Sequence, residues 1–73
     1  MNHARDYEIH ITYSAAPGDQ CYVARVAEWP GITAHGDSVE EAAREIHAAL
    51  ELALLSAQDA GIEPPHPAAL ANA

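Results

Sequence analysis

Gly36-Asp37-Ser38-Val39-Glu40-Glu41-Ala42 is the stretch that decides the fold. Ser38 followed three residues later by Glu41 is a capping box. The hydroxyl accepts from the Glu41 amide while the carboxylate reaches back to the Ser38 amide, so both residues are assigned a structural capping role. Asp37, Glu40 and Glu41 add negative charge at the positive end of the helix dipole. Downstream, Val39, Ala42, Ile46, Ala49, Leu50, Ala53 and Ala57 recur at helical spacing and make one apolar face. Gly61 offers the left-handed residue that ends such a helix. The pattern therefore predicts a helix from about Val39 to about Ala60, about 33 Å long at 1.5 Å per residue. Leu52, Leu54 and Leu55 fall off its apolar face. A helix end that is apolar on several sides is usually buried by something else, which makes these three the candidate self-association residues.

Upstream of the cap the period changes from helical to two. In Tyr7-Glu8-Ile9-His10-Ile11-Thr12-Tyr13, the Tyr and Ile side chains share one face and Glu8, His10 and Thr12 the other. Ser14–Gln20 is a connection, with Pro17-Gly18 suited to the centre of a type II turn. Cys21–Ala27 reads as a second strand with Tyr22, Ala24 and Val26 inward, because Arg25 on the inner face would be costly without a partner. Cys21, Val23 and Ala27 leave apolar atoms on its outer face, so that face is expected to be covered too. Trp29-Pro30-Gly31 breaks the chain, and Ile32–His35, between glycines, is the third strand. Links this short allow only antiparallel neighbours. The fold class is α+β: a three-stranded antiparallel meander packed on one long helix. Ile62-Glu63-Pro64-Pro65-His66-Pro67 then follows as an extended tail. The chain is read as one domain over residues 1–73, with its core at about 7–67 and residues 1–5 and 68–73 without packing signals.

Composition narrows the function. Three arginines, no lysine and eleven carboxylates give a formal charge of −8. Such a chain cannot neutralise a phosphate backbone, so direct nucleic-acid binding is excluded, and anionic membrane surfaces are disfavoured for the same reason. The complementary partner is a basic protein; the plain alternative is that the charge serves solubility alone. Hydrophobic residues reach 49%, much of it alanine with no Phe, which is too many for a disordered acidic segment yet makes a thin core. The single Cys21 permits no intrachain disulfide. Met1–Asp6 opens no signal-peptide core, and Leu50–Leu55 is too short to span a bilayer, so a cytoplasmic location is expected.

The run from Trp29-Pro30-Gly31-Ile32 through Gly36-Asp37-Ser38 to Glu40-Glu41-Ala42, flanked by Tyr22-Val23-Ala24-Arg25-Val26 and Gly61-Ile62-Glu63-Pro64-Pro65, resembles the HicB family. The resemblance covers roughly Tyr7 to Pro67. It implies a β-β-β-α core like a partial RNase H-like fold that forms homodimers or higher oligomers. HicB proteins are antitoxins of type II toxin–antitoxin pairs. They bind HicA, a small basic mRNA-cleaving toxin with a double-stranded-RNA-binding-like fold and a catalytic His, and block its RNA site. Many also carry a C-terminal helix-turn-helix or ribbon-helix-helix module for the operator. This sequence runs six residues beyond Pro67, which predicts no such module here and no transcriptional control through DNA contacts of its own. Ile32 stands where the family often has Cys, which reads as a packing change.

The resulting expectation is a non-enzymatic, cytoplasmic antitoxin that neutralises a basic HicA-type toxin, or alternatively an orphan oligomeric interaction domain of the same family without a toxin. Glu28, Trp29, Glu40 and Glu45 are the candidate partner-binding residues, the carboxylates for charge and Trp29 as an interface anchor or a core-edge residue. Glu40 and Arg44 have the favourable spacing for a helix ion pair. No metal site or cofactor is expected, because the five His and Cys21 are scattered instead of paired at ligand spacing. His35-Gly36-Asp37 sets an imidazole near a carboxylate, but no nucleophile stands beside it, so no catalytic residue is assigned.

Overall fold

A computed structural model describes residues 3–18 and 20–66. The order of elements is a 3-10 turn at Ala4–Asp6, β1 (Ile9–Ser14), β2 (Cys21–Val26), β3 (Thr33–Gly36) and α1 (Val39–Ala60). The strands form one antiparallel sheet in the order β1-β2-β3, and α1 packs on one of its faces. This is the α+β meander-and-helix architecture that the periodicities predict.

The register shows why the alternation works. Ile9, Ile11 and Tyr13 stand opposite Val26, Ala24 and Tyr22, while Ala24 and Tyr22 in turn face Ala34 and Gly36. Side chains on one face of a strand recur every second residue, so these positions share the face on which α1 packs, Tyr13 at its exposed margin. From the helix, Ala42, Ile46, Leu50 and Ala57 are buried. Ile46, Leu50 and Val26 are the largest fully buried side chains, each stabilising the fold by about 1.5–3 kcal/mol through area removed from water. Gly36 sets the distance between the layers. A Cβ there would lie 2.9 Å from the Ala42 Cα and closer still to the Ala42 amide nitrogen.

Both helix ends are built as the sequence suggests, with one change of partner. The Ser38 hydroxyl accepts from the Glu41 amide at 3.1 Å, but the Glu41 carboxylate accepts from the Asp37 amide at 3.2 Å rather than from Ser38. Both amides precede the first turn, so the carboxylate still satisfies a donor at the helix start. At the other end Gly61 has φ 71°. Its amide donates to the Gln58 carbonyl and that of Ile62 to the Ala57 carbonyl, a Schellman arrangement that satisfies the last carbonyls. Gly18, at φ 87°, has the left-handed backbone that a type II turn requires after Pro17.

Several boundaries differ from expectation. β1 starts at Ile9, not Tyr7, because residues 3–7 curl: the Asp6 amide donates to the His3 carbonyl and the Tyr7 amide to the Ala4 carbonyl. This turn packs Ala4 into the core at 7% exposure, so the N-terminal segment is not loose as far as it is described. Residues 1–2, Pro67 and residues 68–73 lie outside the described residues. β3 is shifted one residue later because the Ile32 amide is held by the Trp29 carbonyl in the turn over Pro30-Gly31. Val39 is 50% exposed, since only from Ala42 onward does the helix meet the sheet. The outer sheet face is open: Arg25, Thr33 and His35 are exposed, Cys21 and Val23 half-buried, and no described element packs over them.

Substituting Gly36→Ala is expected to destabilise the protein by about 1–3 kcal/mol, because backbone must move to admit one methyl group. Urea unfolding of the two proteins side by side measures it, and equal midpoints would contradict the close seating.

Candidate functional site

The exposed side of α1 is organised in two rows by its 3.6-residue period. Glu41, Glu45, Leu52 and Asp59 follow one flank, with only Glu41 half-buried. Glu40, Arg44, Glu51 and Leu55 follow the other, all exposed. Arg44 makes no ion pair with Glu40 among the described residues, so the anticipated contact does not form. Leu52 and Leu55 are 66% and 60% exposed and stand among these carboxylates. The helix therefore presents apolar side chains set in negative charge, facing away from the sheet.

The four candidate partner-binding residues do not come together. Glu40 lies in the first turn of α1, beside the end of β3, and Glu45 follows one turn later. Glu28 and Trp29 occupy the turn before β3, at that strand's other end. The Glu28 carboxylate is also engaged: both its oxygens accept from the Glu8 amide, at 3.1 and 3.3 Å. It satisfies the backbone donor that β1 leaves over where the ladder begins. Trp29 is half-buried against the core cluster, and its backbone closes both tight turns between β2 and β3. Sequence spacing cannot reveal these roles, since twenty residues separate Glu28 from the amide it holds.

The three leucines also divide. Leu54 packs against the core and lines an open groove of about 670 Å³ between the N-terminal turn, α1 and the tail. Ala4, Leu55 and Pro64 are further apolar walls of that groove, with Glu51 and Glu63 at its polar side. The tail is fixed there by the Tyr7 hydroxyl, which donates to the Pro65 carbonyl at 2.5 Å. That bond spans 58 residues and holds both ends of the described chain together.

The remaining polar groups are dispersed over the surface of the described residues. No group of three or more His, Cys, Asp or Glu is close enough to hold a metal ion. His35 stands exposed on the open sheet face and forms no ion pair with Asp37, whose amide is used at the helix start. His10 pairs with Glu8 at 3.3 Å and His66 with Glu63 at 3.2 Å, all four exposed. No described helix is long and apolar enough to cross a membrane. No family model, curated protein sequence or solved structure matches the chain.

Tyr7→Phe removes the hydroxyl that holds the tail and is expected to cost about 1 kcal/mol. Hydrogen exchange at Ile62, Glu63 and His66 should quicken in this variant, and unchanged exchange there would show that the tail is held by other means.

Proposed function

We propose that this protein is a HicB-like antitoxin domain that binds and neutralises a small basic mRNA-cleaving toxin of the HicA type. The observation that carries the reading is the sequence pattern from Tyr7 to Pro67 together with the acidic, leucine-bearing outer side of α1. Within residues 39–60, Glu40, Glu41, Glu45, Glu51 and Asp59 oppose a single Arg44. A toxin that holds RNA must present cationic groups, and an array of carboxylates is the charge complement of such a groove.

On this reading the antitoxin acts by occupation and performs no chemistry. Glu40 and Glu45 lie over the toxin's cationic groove and exclude the RNA backbone. Leu52, within the same row as Glu45, supplies the apolar anchor that the sequence assigned to Trp29. Exposed charge pairs mainly accelerate and orient association, whereas a desolvated apolar anchor slows dissociation. Both proteins act in the cytoplasm, where the mRNA substrate is.

Co-purification with a HicA-type toxin encoded beside the gene tests the proposal. The complex is expected to form at low salt and to weaken at about 0.5 M, where charges are screened within a few ångström. Glu40→Arg with Glu45→Arg should lower affinity by on the order of tenfold or more. Failure to bind at low salt, or to suppress RNA cleavage by that toxin, overturns the assignment.

A further inference from the structure

The two edges of the sheet are unlike. β3 is four residues long, is approached through Pro30-Gly31, and ends at Gly36 under α1. β1 is six residues long and contains no proline, lysine or arginine. It keeps an unbroken one-to-one register with β2 from Ile9 to Ser14, so no bulge turns it away. Proline, basic side chains and bulges ordinarily protect an edge strand; β1 has none of these, and no described strand pairs with its outer side.

The phase of the ladder shows what that edge offers. The Ala27 amide donates to the Glu8 carbonyl at 2.9 Å. In an antiparallel pair, hydrogen-bonded positions alternate. His10, Thr12 and Ser14 therefore direct their N–H and C=O groups at β2, and Ile9, Ile11 and Tyr13 direct theirs outward. No described strand receives them. The same three side chains stand on the helix side, where α1 lies mainly over β2 and β3. Ile9 and Ile11 are only half-buried and Tyr13 is 56% exposed. An apolar row thus follows the unpaired backbone.

We propose that β1 pairs antiparallel with β1 of a second copy across a two-fold axis at Ile11, joining two sheets into one. In that register Ile11 faces its own counterpart and Ile9 faces Tyr13 of the other copy. Each such pair exchanges both hydrogen bonds, because all three residues present donor and acceptor outward. The edge is self-complementary, as a two-fold interface requires. Its charge also favours a second copy over a charged partner: Ile9–Ser14 holds no carboxylate in a chain of net charge −8. Across the axis Glu8 meets Ser14 and His10 meets Thr12, so no carboxylates oppose each other. The outer side of α1 remains uncovered in this dimer.

Sedimentation equilibrium of the full chain, combined with hydrogen exchange, tests the pairing. The mass should approach twice 7.7 kDa at high micromolar concentration. It should do so more readily as salt rises, since two acidic copies repel. That salt dependence is opposite to the one expected for toxin binding, so failure of either proposal is read separately. The amides of Ile9, Ile11 and Tyr13 should exchange at least about tenfold faster on dilution to monomer. Tyr13→Lys charges the edge at an exposed side chain and should give a folded monomer by circular dichroism, while Leu52→Lys with Leu55→Lys should leave the dimer intact. A wild-type monomer at every concentration overturns the proposal. So does a dimer that survives Tyr13→Lys, or one whose three β1 amides exchange no more slowly than in the monomer.

Discussion

The seating of α1 on the sheet at Gly36 is the constraint on which the rest of the structure depends. Without Phe and with few large aliphatic residues, the core cannot be filled by bulk. It is closed instead by approach, with Ala24, Ala34 and Gly36 on the sheet meeting Ala42 and Ile46 on the helix. Small residues let the layers come near enough for the few large side chains, Ile46, Leu50 and Val26, to lose all contact with water. Because the smallest residue is on β3, the helix is drawn to that side.

Two consequences follow from this offset. β1 is left thinly covered on its apolar side, which exposes Tyr13 although it pairs edge-to-face with Tyr22 at 5.1 Å. The helix, held by one stripe, turns its carboxylates and Leu52 and Leu55 to the outside. The two surfaces have opposite electrostatic character: one neutral and rich in backbone donors and acceptors, the other acidic.

The helix was legible in the sequence because its signals are local. A cap, a stripe and a terminating glycine all lie within residues 38–61, and each acts over a few positions. Strand alternation was legible for the same reason. The N-terminal turn was not, since Ala4 is buried through contact with α1 far along the chain. Glu28, a partner-binding candidate from its charge, is a backbone acceptor for Glu8; the Tyr7–Pro65 bond has no local signal at all. The candidate site was legible as a set of residue types, not as an arrangement, because Glu28 and Trp29 lie at the other end of β3 from Glu40.

By itself the sequence determined the three strands and the helix, their order, the inward faces and the charge, because periodicity and capping depend only on near neighbours. Only the tertiary structure decided where those elements sit relative to one another. The lateral position of α1 depends on which opposing residues are small enough to touch, a matching between Gly36 and Ala42 that neither segment specifies alone. From that position come the thin cover over β1 among the described residues, the separation of Trp29 from the helix carboxylates, and the placing of Leu52 among them.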